Sequence, residues 1–192
     1  MATEKDDICA IARYIHLTDP YIYPVICSSP CNKDWQDIIQ GCYFSMDNVF
    51  SMKNIIVAEI DNEIIGILCV IPCQRSLHFI KDVPKQSALY SGILKANEGY
   101  FEPLIKESME LDGYNITNIC VDMSFRGLGV GTALISYCKK RFPDSKLRLD
   151  VIADNVKAIN LYEKMGFTIV KEYYGFSGTE DLLPCYHMEL KQ

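Results

Sequence analysis

Hydrophobic positions change from helical to strand spacing along the chain, and this pattern predicts a mixed α/β fold. Apolar residues recur every three or four positions over residues 8–15, and the run stops at the Asp19–Pro20 turn signal. The same spacing returns from Trp35 to Met46. The first 50 residues therefore predict two amphipathic opening helices, each with one face that a sheet must cover.

Two β-rich runs follow, NIIVAEI and EIIGILCVI, and Asp61 and Asn62 separate them. Both turn residues tolerate a positive φ, so the segment 54–71 predicts a two-stranded antiparallel hairpin. Residues 72–93 contain prolines and a glycine without a steady period, which indicates an irregular excursion. A helix is predicted next, from about Pro103 to Leu111.

The second half of the chain alternates strands and helices. A strand over 114–122 leads through a glycine cluster into a helix over 129–142, and a strand over 147–152 follows. Such a unit predicts parallel pairing through a right-handed crossover. A helix from about Val156 to Met165, closed by Gly166, precedes two last strands. The buried face of the first of these helices is expected to hold Val130, Ala133, Leu134, Tyr137 and Cys138.

The whole pattern predicts an α/β fold with one mixed antiparallel and parallel sheet of about six to seven strands, flanked by helices. The chain has 192 residues, of which 49% are hydrophobic, and it shows no repeat or linker. A single domain over residues 1–192 is therefore expected. An exposed final strand would allow pairing with a second subunit, so a homodimer is a candidate assembly.

Composition limits the partners. The net charge of −6 argues against a surface that neutralises nucleic-acid phosphates. The acidic start MATEKDD, and the lack of an apolar run of about 18 residues, favour a cytoplasmic protein without membrane contact.

Nine cysteines without a CxxC predict reduced, mostly buried thiols. Cys27 with Cys31 and Cys69 with Cys73 share a four-residue offset, but the three histidines are far away in sequence, so no metal is expected.

The glycine cluster Arg126-Gly-Leu-Gly-Val-Gly-Thr132 stands where a strand ends and a helix begins. Glycines let the backbone turn tightly and approach a ligand closely, and a helix start offers unpaired N–H groups at the positive end of its dipole. Arg126 adds a charged, fork-shaped donor. The segment therefore predicts a site for a diphosphate group.

Spacing separates three phosphate-binding designs. The nucleotide P-loop needs a lysine followed by Ser or Thr after its last glycine, and no such residues are present. The dinucleotide fingerprint GxGxxG lacks its third glycine when it is started at Gly127 or Gly129. The remaining pattern, [R/Q]xxGxG, is fulfilled by Arg126, Gly129 and Gly131, and it resembles motif A of the GNAT acetyltransferase superfamily.

A second segment, NVKAINLYEKMGF at residues 155–167, resembles GNAT motif B. Asn155, Ala158 and Tyr162 fall at i, i+3 and i+7, so they share one face of a helix. The resemblance is detailed over residues 114–190, which would form the cofactor-binding and catalytic core, and looser in the hairpin at 54–71. Residues 1–50 fit the family's variable opening helices.

The resemblance implies acetyl-CoA as co-substrate and a set of residues that bind it. It assigns the diphosphate to the segment from Arg126 to Thr132, the pantetheine to the backbone around Val121 and Met123, and the neighbourhood of the sulfur to motif B. It also implies that the strand ending near Val121 diverges from the strand 147–152, which leaves a gap for the pantetheine. The full set of cofactor-binding residues is Val121, Met123, Arg126, Gly127, Leu128, Gly129, Val130, Gly131, Thr132, Asn155, Ala158 and Tyr162.

By the same resemblance, the reaction is direct transfer of an acetyl group to an amine of a small molecule or peptide in a ternary complex. Tyr162 suits the catalytic role of proton donor to the departing thiolate, because a phenol with a pKa of about 10 is protonated at neutral pH. The general base is left open among four carboxylates: Asp122, Asp150, Glu98 and Glu102. A covalent role for Cys120 is less favoured than a buried position in its strand. Two other classes compete with the enzyme: a noncatalytic acyl-CoA sensor and a nucleotide-binding protein.

Overall fold

The computed structural model describes residues 1–3, 7–18, 43–44, 50–75, 112–176 and 182–190. Within these ranges there are three α-helices and six β-strands. The helices are α1 (Ile8–Thr18), α2 (Val130–Arg141) and α3 (Val156–Lys164). The strands are β1 (Ile55–Ile60), β2 (Glu63–Pro72), β3 (Tyr114–Val121), β4 (Leu147–Ile152), β5 (Phe167–Phe176) and β6 (Leu182–Leu190). The helices predicted at 35–46 and 103–111 and the excursion after residue 75 lie wholly or mostly outside the described residues.

The six strands form one mixed sheet in the order β1-β2-β3-β4-β6-β5. Only β3 and β4 are parallel, and every other neighbouring pair is antiparallel. The parallel pair is joined through α2, as the strand, helix, strand pattern predicts. The predicted fold class and strand number are therefore confirmed.

The final strand is not at an edge of the sheet. β6 lies between β4 and β5, so β5 forms that edge. The prediction that the last strand is exposed for pairing with a second subunit is therefore wrong. The reason is the hairpin between β5 and β6: β6 turns back and inserts beside β4, where both of its sides find backbone partners.

The first hairpin has the geometry that its turn residues predict. Asp61 and Asn62 have φ angles of 53° and 64°, and the pair Ile60–Glu63 closes the ladder directly beside them. Two consecutive positive φ angles in a two-residue turn match the right-handed twist of the strands on either side. This turn fixes the pairing of the two strands beside it, and a β-bulge at Ile65 shifts the register of β1 on β2 further along.

The sheet has two covered faces. On one face α1 packs through Ile11 and Ile15 against Ile67 and Cys69 of β2. On the other face α2 packs against Leu68 and Val70 of β2 and against Leu147, Leu149 and Val151 of β4. Adjacent β2 residues point to opposite faces, as the two-residue period of a strand requires. These faces are called the α1 face and the α2 face below.

The buried side of α2 differs from the prediction. Leu134, Ile135 and Cys138 are buried, whereas Ala133 and Tyr137 are exposed. The helix is turned by about one residue because Gly131 faces inward, where an added Cβ would lie 3.1 Å from Leu161 Cδ2. The absence of a side chain at Gly131 lets the start of α2 approach α3 closely.

Of the described cysteines, Cys69, Cys73, Cys120 and Cys138 are free thiols. Cys9 is exposed, whereas Cys69, Cys73, Cys120, Cys138 and Cys185 are buried, which agrees with the prediction of mostly buried thiols. None of the helices in the described ranges combines the length and apolar character that crossing a bilayer requires. The same ranges contain no group of three or more His, Cys, Asp or Glu residues suited to a metal ion.

Candidate active site

The parallel strands β3 and β4 pair over a short distance and then separate. Their register covers Tyr114, Asn115 and Ile116 of β3 opposite Leu147, Arg148 and Leu149 of β4. β3 continues to Val121 and β4 to Ile152 without further pairing between them. This opening is the divergence that the sequence resemblance implies.

A β-bulge at Thr117 marks the point of separation. On the other side of β3, Val70 of β2 pairs with Ile116 but Cys69 pairs with Asn118, so Thr117 is an extra residue. A bulge bends its strand and increases the local twist. Because Thr117 directly follows the last β3 residue paired with β4, the bulge accounts for the bend of β3 away from β4.

The backbone of Val121 faces the opening. The N–H of Asp122 donates to the carbonyl of Ile65 in β2 at 2.9 Å. Because backbone groups alternate in direction along an antiparallel ladder, the N–H and carbonyl of Val121 point away from β2, toward β4. The carbonyl of Val121 accepts a hydrogen bond of 3.0 Å from Arg126 Nε. The backbone of Val121, which is predicted to contact the pantetheine, therefore lies on the edge of β3 that borders the opening.

The glycine turn connects the end of β3 to the start of α2. Gly127 and Gly129 have φ angles of 80° and 86°, and Gly129 is the N-cap of α2. A Cβ added at either glycine would meet nothing within 4 Å, so the turn borders open space. The first bond of the helix runs from Ala133 N–H to the Gly129 carbonyl. The N–H groups of Val130, Gly131 and Thr132 precede it and lack acceptors within the helix.

The other predicted residues of this segment are accessible. Met123 and Leu128 expose 79% and 72% of their surface, and Thr132 and Arg126 are also exposed. Arg126 uses its Nε on Val121, so the two terminal nitrogens of its guanidinium can contact a ligand. The turn therefore presents main-chain donors and a cation at one end of the β3–β4 opening.

The start of α2, the end of β3 and the middle of α3 meet at Gly131. A Cβ at Gly131 would lie 3.1 Å from Leu161 Cδ2 and 3.9 Å from Val121 Cγ2. Ala158 and Tyr162 of α3 are partly buried against the core of the α2 face. The structure thus brings the two motif segments together around the same opening.

Tyr162 lies in an apolar environment. Its ring centre is 6.1 Å from that of Phe167, and burial raises the pKa of its phenol to about 12. The phenol therefore keeps its proton at any physiological pH, as a proton donor must. Asn155 is the N-cap of α3, and its side-chain oxygen accepts from Ala158 N–H at 3.3 Å. This cap satisfies one unpaired donor of α3.

Asp122 is unsuited to act as a base. Its carboxylate accepts from Ser124 N–H at 3.0 Å, lies 3.3 Å from Tyr14 Oη and pairs with Arg13 at 3.7 Å. The backbone donor at Ser124, together with these contacts, lowers the pKa of Asp122. Burial raises the pKa of the Tyr14 phenol. The cluster instead ties α1 to the end of β3.

Asp150 is paired with a histidine that the sequence analysis did not select. His187 Nδ1 lies 2.8 Å from Asp150 Oδ1, and the two residues are direct neighbours on β4 and β6. Burial alone lowers the pKa of His187, but the hydrogen bond and the charge of Asp150 outweigh it, so the pKa is raised.

The other two candidate bases, Glu98 and Glu102, lie outside the described residues. Cys120 is buried, and burial raises the pKa of its thiol, which fits the structural role favoured above.

Known proteins share this fold. An N-acetyltransferase from Staphylococcus aureus Mu50 is 19% identical over 96% of this chain and 95% of its own, with a TM-score of 0.68. A second acetyltransferase is 22% identical over 99% of this chain and 96% of its own, with a TM-score of 0.67. Naa20 of Chaetomium thermophilum, in complex with a bisubstrate analogue, is 20% identical over 94% of this chain and 80% of its own, with a TM-score of 0.52. At these identities the likeness extends to the fold alone.

The search of curated protein sequences gives no match. The profile of one protein family matches residues 21–167, which is most of the chain and includes the glycine turn, the β3–β4 opening and α3. The chain therefore belongs to the acetyltransferase (GNAT) family.

Proposed function

We propose that this protein transfers an acetyl group from acetyl-CoA to an amine of a small molecule or peptide, by direct attack in a ternary complex. The observation that carries the proposal is the left-handed glycine turn at the start of α2, beside the opening between β3 and β4. It joins a site for the diphosphate to a gap for the pantetheine. The proposal also includes that the chain forms one domain and that the protein is cytoplasmic.

The residues at the turn fit a diphosphate. Three main-chain N–H groups at the start of α2 and the positive end of the helix dipole favour an anion there. The open space beside Gly127 and Gly129 lets phosphate oxygens approach the backbone. Arg126 supplies a guanidinium whose terminal nitrogens can bind the same oxygens. These features support a diphosphate-binding role for the segment from Arg126 to Thr132.

The residues of the opening fit the reacting end. The N–H of Val121 faces the gap and is the natural donor to an oxyanion that forms when the amine attacks the thioester. Met123 begins the short 3-10 turn that follows the end of β3. Tyr162 and Ala158 approach from α3, and the phenol can give its proton to the departing thiolate. In this scheme Asn155 acts by starting α3 at the correct residue, through its cap on Ala158.

A noncatalytic acyl-CoA sensor would use the same turn and opening. The buried, protonated phenol of Tyr162 favours the enzyme, because binding alone does not need a proton donor there. Release of free CoA can be measured with a thiol reagent against spermidine, an aminoglycoside, amino acids and peptides with a free N terminus. Acetyl-CoA binding without turnover on any of these amines would favour the sensor.

A pair of substitutions at Gly129 tests the diphosphate site. Asn and Asp have nearly the same size and both tolerate the left-handed conformation of this position, so they strain the backbone equally. Gly129→Asp adds a negative charge beside the proposed phosphates, whereas Gly129→Asn does not. We expect at least a tenfold weaker acetyl-CoA affinity for the Asp variant than for the Asn variant, measured by isothermal titration calorimetry.

Unfolding of the Asp variant cannot explain a weaker acetyl-CoA affinity than that of the Asn variant. A carboxylate at a helix N-cap stabilises the helix at least as well as an amide does. Melting temperatures of the two variants provide the control. Equal acetyl-CoA affinities for Gly129→Asp and Gly129→Asn would place the diphosphate elsewhere and contradict the proposal.

A further inference from the structure

The pair formed by His187 and Asp150 stands at the opening between β3 and β4. Asp150 directly follows Leu149, the last residue of β4 that pairs with β3. His187 is its register neighbour on β6, and 2.8 Å separate His187 Nδ1 from Asp150 Oδ1. The pair therefore lies on the β4 side of the gap, at the point where the gap begins.

Both side chains point to the α1 face. Leu149 and Val151, on either side of Asp150, are buried in the core of the α2 face, so the alternation of a strand directs Asp150 to the opposite face. The same argument applies to His187. Its neighbour Met188 is buried on the α2 face, so His187 points to the α1 face. α2 and α3, with the glycine turn and Tyr162, lie on the other side of the sheet. The pair thus lies on the α1 face of the sheet, whereas the proposed cofactor site lies on the α2 face.

We propose that His187 is the catalytic base that takes the proton from the acceptor amine, and that Asp150 positions it. This inference rests on the proposed function. The acceptor then enters from the α1 face as an ammonium ion, and acetyl-CoA enters from the α2 face. The two substrates meet in the gap between β3 and β4.

The contacts of the ring fix its working tautomer. The hydrogen bond to Asp150 keeps a proton on Nδ1, so the lone pair of neutral His187 lies on Nε2. The N–H bond of the ammonium breaks, its proton joins Nε2, and the freed lone pair of the amine forms the C–N bond with the thioester carbon. The C–S bond then breaks, and the thiolate leaves with the proton of Tyr162. A second proton leaves the amide nitrogen, and solvent restores His187 and Tyr162.

The charged surroundings of His187 come from three strands. Asp150 and Arg148 lie on β4, Glu189 lies on β6, and Lys171 of β5 is the other register neighbour of His187. Arg148 is paired with Glu189 at 2.6 Å, which offsets both charges locally. α1 covers β2 and β3 on this face. Asp150 is therefore the carboxylate whose loss affects the ring most directly.

The test compares the pH dependence of turnover in three variants. In the wild type, the rate should rise with pH as His187 loses its proton, through an apparent pKa above the 6.5 of a free histidine. Asp150→Asn removes the charge that favours the imidazolium. The rise of the rate with pH, called the limb of the pH profile below, should therefore move to lower pH. His187→Gln should lower kcat by about 10² or more and abolish the limb. Titration of the amine substrate itself is common to all variants, so differences between them report the pair.

Asp144→Asn is the matched control, because Asp144 is exposed in the connection between α2 and β4. Its pH profile should equal that of the wild type. The acetyl-CoA affinity of His187→Gln should stay within about twofold of the wild type, since the proposed cofactor site lies on the other face. NMR titration of the histidine rings gives a second readout, in which Asp150→Asn should lower the pKa of His187.

Two failures are distinguishable. If the wild type binds acetyl-CoA but acetylates none of the amines in the panel, the proposed function fails and this inference fails with it. If the wild type turns over and His187→Gln retains kcat within about twofold with an unchanged pH profile, the proposed function stands and His187 is not the base. A loss of kcat in His187→Gln with an unchanged limb would equally overturn the inference.

Discussion

The phenol of Tyr162 is the proposed proton donor, and its surroundings set its pKa. Burial raises its pKa to about 12, so it stays protonated at neutral pH and can donate a hydrogen bond to a departing thiolate. Tyr162→Phe keeps the ring that packs near Phe167 and removes only the hydroxyl. We expect kcat to fall by about 10² or more, measured as CoA release, with acetyl-CoA affinity changed by less than about threefold.

Tyr137→Phe provides the matched control for this variant. Tyr137 lies on α2 and is 46% exposed, so loss of its hydroxyl should leave kcat unchanged. A Tyr162→Phe enzyme that works within about twofold of the wild-type rate would assign the proton transfer to another group.

Arg148 is a buried cation whose partners hold it in place. Only 3% of its side chain is exposed, its Nε pairs with Glu189 at 2.6 Å, and it also donates to the carbonyl of Asp112 and to Cys73 Sγ. Glu189→Gln would leave the guanidinium buried without its counter-ion. We expect a loss of about 2 kcal/mol in the free energy of unfolding, between the values for exposed and fully buried pairs. Urea denaturation measures it.

A double-mutant cycle separates the pair from its parts. Arg148→Met removes the charge that Glu189 neutralises, so the second substitution should cost less in this background than in the wild type. A coupling energy of about 1 kcal/mol or more is expected. Additive losses would show that the ion pair contributes no net coupling, and Glu59→Gln, at an exposed site on β1, should stay within about 0.5 kcal/mol of the wild type.

Single residues differ in how far sequence reveals them. The glycine turn and Tyr162 each stand in a short continuous motif, so the sequence alone is enough to select them. His187 and Asp150 are 37 positions apart, and their contact depends on the register of β6 against β4. Sequence cannot fix that register, because β6 pairs with a strand far from it along the chain. Alternation in CYHMEL places His187 and Cys185 on one face of the strand. It does not show which strand lies beside them.

At the scale of elements, the hairpin between β1 and β2 offers a direct test of backbone conformation. Asn62 has a φ of 64°, where glycine is unstrained and alanine costs about 1–2 kcal/mol. We expect the stability order Asn62→Gly, wild type, Asn62→Ala, with about 1 kcal/mol between the extremes, measured by urea denaturation. Asn lies between them because its side chain tolerates this region.

The same substitutions at Asn160 give the opposite order. Asn160 is exposed in α3, where alanine favours the helix over glycine by about 1 kcal/mol. If Ala were preferred to Gly at both positions, general propensity rather than the turn would determine stability at Asn62.

Helices and strands were predictable where local spacing determines them. The hairpin, the parallel unit and both helices of the second half agree with their patterns within a few residues. The face of α2 was predicted correctly for Val130, Leu134 and Cys138 but not for Ala133 and Tyr137, because apolar and small positions fit two overlapping stripes. The choice between the stripes depends on Gly131 meeting Leu161, which is a tertiary contact. The place of β6 inside the sheet likewise depends on tertiary pairing.

At the scale of the whole molecule, the sheet separates two routes to one gap. The proposed diphosphate site and Tyr162 belong to the α2 face, whereas Asp150 and His187 belong to the α1 face. The bulge at Thr117 opens the sheet between them. The proposed acceptor site and the proposed cofactor site therefore share only the strand edges at the gap.

A thermal-shift experiment tests the ligand assignment on the intact protein. A ligand at 100 times its dissociation constant stabilises the folded state by about 2.7 kcal/mol. For a chain of 192 residues this corresponds to a rise of roughly 5–10 °C in melting temperature. We expect this rise with acetyl-CoA and a change of less than about 1 °C with NAD or ATP, because the glycine spacing fits neither nucleotide design. A tenfold weaker affinity leaves about half of this stabilisation at the same ligand concentration, so Gly129→Asp should lose about half or more of the acetyl-CoA shift, and Gly129→Asn should keep most of it. A rise with ATP or NAD that exceeds the rise with acetyl-CoA would reassign the glycine turn to a nucleotide, because only a ligand that binds the folded state can raise its melting temperature.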